Sequence, residues 1–277
     1  MEEVSSISFG AALFSGSDYA NFGTCHESRN TYNDQGAPND FMGPTLWSSD
    51  PDVYGISNPE AVQAQGFDLG SHIDMLHETP LCMGLAWETA NVYWAFNGSV
   101  NAINRVDFVD DHGVGWDDHS DGIIGRYVEG EVSRVPDVPS HMAYEPTTAF
   151  LYIADTGNNE IKVLDTSSGT RGSNLPKMEW GTDHYEVNDA VMWTLVDGDD
   201  YGMSLPSGVI IVEDTLLVTD NGTGIIHAFD LEGNRIDWLD TELGEGALMG
   251  VEALDLDNIW FVDAVKDRVL HIQPHKK

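Results

Sequence analysis

Basic residues are scarce in this chain, and their scarcity excludes whole classes of partner. The 277 residues include 12 lysines and arginines against 47 aspartates and glutamates, a formal net charge of −35 at pH 7. Residues 1–104 contain a single basic side chain, Arg29. A negative field of this size repels nucleic acids and anionic membrane surfaces, so we expect neither as a partner. It favours cations instead, and adaptation to a saline environment is the alternative explanation of the charge.

Long apolar runs and cysteines are also few. No apolar run reaches the length of about 18 residues that a membrane-spanning helix needs, so none is predicted. Residues 1–16 lack a basic region followed by an apolar core, so no signal peptide is apparent. Cys25 and Cys82 either form one disulfide or remain thiols, and the disulfide is favoured because Cys25 lies in a polar, loop-rich segment. The favoured disulfide leads us to expect a secreted or periplasmic protein. We also expect the protein to be a monomer.

The sequence does contain an internal repeat. Each copy has a short apolar strand, a stronger strand such as "VYWAF" or "LYIAD", a turn rich in Gly, Asn or Asp, and an alternating third strand. Alternation with a period of two predicts antiparallel strands, and no helical stripe is apparent. The copies span residues 81–108, 139–166, 206–231 and 248–273, with a weaker copy at 41–55.

The spacing of these copies predicts an all-β fold, a β-propeller with four-stranded antiparallel blades. The copies begin near residues 42, 83, 140, 207 and 249, so two intervals are about 41 or 42 residues and two are nearer 57 and 67. The longer intervals contain either insertions or a hidden blade, so we expect six blades, with five as the alternative. We expect one propeller domain over residues 1–277, with a loop-rich segment at 1–40 and the blades at 41–277.

The sequences of two copies resemble a known family. "LYIADTGNNEIKVLD" and "LLVTDNGTGIIHAFDLEGN" look like NHL repeats, the units of a propeller family that includes enzymes as well as protein- and RNA-binding modules. The segment "VPSHMAYEPTTAFLYIADTGNNEI" is similar to the histidine-bearing blade of the peptidyl-hydroxyglycine amidating lyases in that family. That weaker resemblance implies a zinc held by histidines from different blades, with His141 at or next to a ligand position.

Histidines are the clearest chemical signal in the sequence itself. His72 and His77 precede the copy at 81–108, His112 and His119 lie in an acidic stretch, and His141 begins a repeat strand. A single loop histidine is usually a surface residue. Five that enter one sector of a propeller predict a transition-metal site, with zinc or copper as the ion, because imidazole is the commonest ligand for such metals.

The acidic stretch is "DDHGVGWDDHSDG", residues 110–122, which we call the acidic loop. Asp117, Asp118 and Asp121 are candidates for the carboxylate that orients a ligating imidazole. The loop lacks the regular Asp alternation and the final Glu of a helical calcium loop. Its aspartates are nevertheless candidate ligands for a structural calcium ion.

Three methionines precede glycines at the starts of repeats, namely Met42, Met83 and Met249. Methionine fills irregular gaps well, so packing is the simpler interpretation. If their thioethers converge with the imidazoles, they would suit Cu(I).

Among the common catalytic signatures, the sequence contains no nucleophile elbow, Walker loop or dinucleotide-binding fingerprint. We therefore predict a metal-dependent lyase or hydrolase that acts on a small or peptide-like substrate. Tyr144 and Arg126 are the candidate acid/base or anion-clamping residues. The alternatives are a non-catalytic propeller that binds a protein partner and a protein that binds or sequesters copper.

Overall fold

The computed structural model describes residues 5–14, 18–29 and 42–273. Within these ranges the strands form five sheets, and the fold is an all-β propeller whose blades they are. Five is the second of the two blade numbers that the repeat spacing allows, and the described residues form no sixth sheet. The chain divides into two compact units, described in turn below: Met1–Glu131 with Gly169–Asp189, and Val132–Ser168 with Ala190–Lys277.

The elements in chain order are β1 (Ser5–Leu13), β2 (Ala20–His26), β3 (Thr45–Ser48), α1 (Pro59–Gln65), β4 (Asp74–Met75), β5 (Cys82–Thr89), β6 (Val92–Asn97), β7 (Ala102–Asp107), β8 (Ile123–Tyr127), β9 (Met142–Glu145), β10 (Phe150–Asp155), β11 (Glu160–Asp165), β12 (Thr170–Asn174), β13 (Asp183–Asn188), β14 (Val191–Asp197), β15 (Pro206–Val212), β16 (Thr215–Asp220), β17 (Ile225–Asp230), β18 (Arg235–Asp240), β19 (Leu248–Asp255), β20 (Asn258–Asp263) and β21 (Arg268–Ile272). Each of the four strong repeats is therefore a run of three consecutive strands, as the alternation predicted.

The first unit contains two sheets. One has the order β1-β2-β3-β4, so the segment that we expected to be loop-rich provides two strands in its described part. The other has the order β12-β13-β8-β7-β6-β5, in which β13 runs parallel to β8. Residues 169–189 thus extend a sheet formed by residues 82–127. This hairpin lies in the longest repeat interval, which therefore contains an insertion.

Helix α1 is the one helix of α type in the described ranges. Asn58 caps it by accepting a hydrogen bond from the Glu60 N–H at 3.0 Å, Pro59 opens it, and Gly66 ends it in the left-handed region. A helix of seven residues is too short to show an amphipathic stripe, which is why the sequence did not reveal it. No described helix has the length and apolar character that crossing a membrane would require.

The core of the first unit surrounds a disulfide. Cys25 of β2 and Cys82 of β5 are bonded, as favoured from the sequence, and both are fully buried. The apolar side chains packed in the same cluster include Leu46, Ile73, Leu76, Tyr93 and Phe108. The bond joins the two sheets of this unit across a sequence separation of 57 residues.

The second unit contains three sheets, of order β14-β11-β10-β9, β15-β16-β17-β18 and β19-β20-β21. In the repeats of this unit, the aspartate that ends the middle strand is buried. Asp220 accepts hydrogen bonds from Ser204 N and Leu205 N before the repeat, and from Gly222 N and Thr223 Oγ1 in the following turn. Asp220 therefore joins the entry loop of its repeat to the turn after the strand.

We expect Asp220→Ala to lower the free energy of unfolding by about 3 kcal/mol, because it removes a buried side chain that accepts four hydrogen bonds. Urea denaturation measures this loss. Asp214→Ala is the matched control, since Asp214 is exposed in the preceding turn, and its effect should stay within about 0.5 kcal/mol. Equal losses for the two variants would show that the buried carboxylate has no such role.

Replacing both cysteines by serine removes the constraint on the unfolded chain. For a closed loop of this length the chain-entropy model gives a loss of about 4 kcal/mol. The denaturation midpoint of the oxidised protein should fall on addition of a reductant, and the serine double variant should not respond to reductant. An unchanged midpoint on reduction of the native protein would contradict the expectation.

Candidate metal centre

Three of the predicted histidines meet in the first unit. His72 precedes β4, and His112 and His119 lie in the acidic loop between β7 and β8. The ring centres of His112 lie 5.0 Å from those of both His72 and His119, and the remaining pair is 6.1 Å apart. One ring nitrogen of each lies within 4.8 Å of the other two. We call these three residues the His triad.

Backbone hydrogen bonds hold the acidic loop against the segment that carries His72. His112 N donates to Ile73 O at 3.0 Å, and Gly115 N donates to His72 O at 2.8 Å. The loop is therefore held in place by main-chain groups, and its histidines are turned inward although its aspartates 117, 118 and 121 are exposed. This arrangement explains how so acidic a segment contributes buried side chains.

The tautomers of two members of the His triad follow from carbonyl partners. His72 Nδ1 lies 2.9 Å from Leu69 O, and His112 Nδ1 lies 2.7 Å from Gly113 O. Since a carbonyl only accepts, Nδ1 carries the hydrogen in both rings and Nε2 has the free lone pair. His112 Nε2 and both ring nitrogens of His119 are buried with no hydrogen-bond partner among the described residues. Buried polar atoms of this kind normally have a partner, and a metal ion would supply one.

The electrostatics of the His triad favour the metal-binding form. Burial lowers the pKa of His112 to about 3, and the neighbouring imidazoles act in the same direction. Burial also lowers the pKa of His72, although the Leu69 carbonyl and the negative charge of Asp117 oppose that shift. Both rings are therefore neutral at pH 7, and the neutral imidazole is the form that binds metals.

A second group of ligand atoms shares His119 with the triad. Glu179 Oε1 lies 2.9 Å from His77 Nε2 and 3.6 Å from His119 Nδ1, and the two ring centres are 5.7 Å apart. Both histidines are buried and Glu179 is partly exposed. The contacts with the two imidazoles lower the pKa of Glu179, so its carboxylate is ionised at pH 7.

Glu179 was not predicted from the sequence. It lies in residues 175–182, the connection between β12 and β13, which we call the 175–182 loop. Two hydrogen bonds hold this loop against the rest of the first unit. Within the loop the Met178 N–H donates to Glu78 Oε1, and directly after it Asp183 N donates to Gly122 O at 2.9 Å. A lone glutamate in a polar insertion carries no signal of its own, and only the parallel pairing of β13 with β8 brings it to the histidines.

Arg126 also interacts with the hairpin that carries the 175–182 loop. Its Nη2 lies 3.3 Å from His184 Nε2, and its Nη1 donates to Glu129 at 3.1 Å. His184 Nδ1 in turn lies 2.6 Å from Pro176 O. Arg126 therefore contacts the β12–β13 hairpin, which gives it a structural use beside the anion-clamping role that the sequence suggested.

Other predicted residues lie outside both groups. Neither group of converging ligand atoms in the described ranges contains Asp117, Asp118 or Asp121. Asp118 accepts hydrogen bonds from the Ser120 amide and hydroxyl, and Asp121 accepts one from Asp110 N. Calcium binding by these aspartates therefore stays a prediction.

The second unit contains three predicted site residues, His141, Tyr144 and Met249. His141 is in neither group, and burial lowers its pKa to about 4. Its ring packs beside Gly250, where a Cβ would lie 3.0 Å from His141 Cε1. The glycine of the Met-Gly pair thus makes room for an imidazole. Met249 Sδ lies 3.6 Å from Asn221 Nδ2.

The two other methionines also have structural positions. Met83 is fully buried in β5, beside the disulfide. The backbone of Met42 joins two loops, because its N–H donates to Arg29 O and its carbonyl accepts from Thr79 N.

One buried carboxyl near the histidines was also missed. Asp74, on β4 between His72 and His77, is fully buried, and burial raises its pKa to about 9. Its Oδ1 accepts from Met75 N at 2.7 Å. Asp74 is therefore protonated at pH 7, and it adds no negative charge beside the His triad.

Comparison with known proteins supports the fold and no more. No family model matches the chain, and no curated protein matches its sequence. An auxiliary nutrient binding protein from Bacteroides ovatus has a TM-score of 0.53 at 12% identity, over 97% of this chain and 59% of that chain. A protein of unknown function from Bacteroides thetaiotaomicron has a TM-score of 0.49 at 11% identity, over 93% of this chain and 57% of that chain.

The β-propeller domain of Cps50 (Swd1) from Myceliophteria thermophila has a TM-score of 0.48 at 9% identity, over 100% of this chain and 70% of that domain. The chain spans less than two thirds of the length of either Bacteroides protein. The 12% identity with the Bacteroides ovatus protein shows a common fold alone, so no activity is carried over.

The 175–182 loop depends on Gly181. Its φ is +100°, and a Cβ there would lie 2.6 Å from Ser120 Cβ and 2.9 Å from Ser120 O. Gly181→Ala should therefore push this loop away from the acidic loop. We expect trypsin to cleave after Lys177 at least several-fold faster, as measured by mass spectrometry of the fragments.

Gly130→Ala is the matched control. Gly130 also has a positive φ, +81°, but nothing lies within 4 Å of its added Cβ. It introduces the same kind of backbone strain without the clash, so cleavage after Lys177 should stay at the native rate. A native rate for Gly181→Ala would contradict the packing of the two loops.

Proposed function

We propose that this protein binds a transition metal ion, zinc or copper, through His72, His112 and His119. The observation that carries the proposal is the convergence of one ring nitrogen from each histidine to within 4.8 Å, with His112 and His119 contributing buried nitrogens that have no hydrogen-bond partner among the described residues. Zinc–nitrogen bonds of about 2.0–2.1 Å in a tetrahedral site place the ligand ring centres about 5 Å apart. The ring centres of the His triad are 5.0, 5.0 and 6.1 Å apart, so they need to move little to bind one ion.

The His triad leaves a coordination position open. Three protein ligands and one exchangeable position are typical of catalytic zinc sites, whereas structural sites use four protein ligands. A metal held in this way lowers the pKa of a water molecule and polarises a carbonyl group. We therefore assign to this site lyase or hydrolase chemistry on a small or peptide-like substrate.

The copper-sequestering alternative has less support. A Cu(I) site of the predicted kind needs thioethers beside the imidazoles, and the Met249 thioether lies 3.6 Å from the Asn221 amide nitrogen. A non-catalytic interaction propeller does not require three histidine rings with converging nitrogens. The Cys25–Cys82 disulfide supports a secreted or periplasmic location, because such bonds persist in oxidising compartments.

The test is metal binding by chelator-treated protein. We expect native protein to take up Zn²⁺ or Cu²⁺ tightly in calorimetric titration, and His112→Ala to weaken binding at least 100-fold. His271→Ala is the matched control, since His271 is exposed on β21 and belongs to neither group. Native protein that takes up neither metal, or a His112→Ala variant with native affinity, would refute the proposal.

Hydrolase activity is tested separately from binding. Turnover of peptide and ester substrates by the zinc-loaded protein should disappear in His112→Ala and persist in His271→Ala. Tight metal binding with no turnover of any such substrate would refute the hydrolase assignment and leave the metal-binding proposal intact.

A further inference from the structure

His119 belongs to both groups of ligand atoms, so the number of metal ions that the centre holds depends on how its two ring nitrogens are used. We infer that His77, His119 and Glu179 form a second metal position, so that the centre holds two transition-metal ions with the His119 ring between them. This inference rests on the proposed function, because His119 is also a ligand of the first ion. It adds a ligand, Glu179, from the β12–β13 hairpin.

Glu179 Oε1 lies at hydrogen-bond distance from His77 but not from His119, and both distances are compatible with a shared ion. At 3.6 Å, the separation of His119 Nδ1 and Glu179 Oε1 is too long for a hydrogen bond. Ligand atoms in a tetrahedral zinc site lie about 3.3 Å apart, as bond lengths near 2 Å require. The two contacts of Glu179 Oε1, 2.9 Å to His77 and 3.6 Å to His119, bracket that value.

The two nitrogens of His119 divide between the two groups. Nδ1 is the nitrogen that lies 3.6 Å from Glu179 Oε1, so we assign Nε2, which is also buried, to the ion shared with His72 and His112. A histidine that binds one metal normally donates its other ring N–H to an acceptor. Neither nitrogen of His119 has a hydrogen-bond partner among the described residues, so each is open to an ion.

The proton balance follows from this assignment. A ring that binds one ion through each nitrogen is an imidazolate, so the N–H proton of His119 is released to solvent when the second ion binds. His77 binds through Nε2 and keeps its hydrogen on Nδ1. The ionised Glu179 and the imidazolate each contribute one negative charge, which offsets half of the charge of two divalent ions. Two histidines with one glutamate are an established ligand set for catalytic zinc.

The experiment is a titration of the full-length, chelator-treated protein with Cu²⁺. Native protein should bind two equivalents, and its double-integrated EPR signal should fall below that of two isolated ions because the bridging ring couples them. Glu179→Gln should bind one equivalent with the full signal of one isolated ion. Glu186→Gln, on the same hairpin in β13, is the matched control and should bind two.

Each result is decisive. One equivalent in both the native protein and Glu179→Gln overturns the second position and leaves the proposed function intact. No binding by native protein overturns both. Two uncoupled equivalents in native protein and in Glu179→Gln place the second ion elsewhere and also overturn the inference. Circular dichroism of Glu179→Gln confirms that it is folded, and His77→Gln provides a second variant with the same expected loss.

Discussion

In three of the four strong repeats, a buried polar side chain at the end of the middle strand forms hydrogen bonds that hold the repeat together: Asn97, Asp155 and Asp220. In the second unit Asp155 accepts from Ser133 N before its repeat and from Asn158 after the strand, as Asp220 does in its own repeat. In the first unit Asn97 has this role, since it donates to Glu78 O and accepts from Ser99 N. These hydrogen bonds form within a repeat or next to it, so the connections between repeats can differ in length without breaking them.

The candidate site is formed by connections of this variable kind. Its residues come from the segment before the first strong repeat and from the two insertions that make the repeat intervals unequal. The Asn97–Glu78 bond fixes the segment that carries His77, and backbone hydrogen bonds fix the acidic loop. Burying imidazole nitrogens without partners costs stability, and the metal ion that we propose would offset that cost. The candidate site therefore lies among loops that main-chain hydrogen bonds hold in place, and these loops do not depend on close side-chain packing.

Sequence reasoning reached most of the fold and part of the site. The strands followed from alternation, and the disulfide from the two cysteines. His72, His77, His112 and His119 come together because they flank one repeat in the sequence. Glu179 could not be found in this way, since it reaches His77 only through the parallel pairing of β13 with β8. His141 was grouped with the other histidines because it begins a strand, but its ring packs beside Gly250.

The sequence by itself determined the repeats, the propeller class and the residues with metal-binding chemistry, because alternation and hydrogen-bonding turns are local properties. Tertiary structure alone decided that the blades number five, that the long intervals contain insertions, and which nitrogens face one another. Those features depend on pairings between segments far apart in the chain, and the burial that lowers the pKa values of His72 and His112 exists only after those segments have packed.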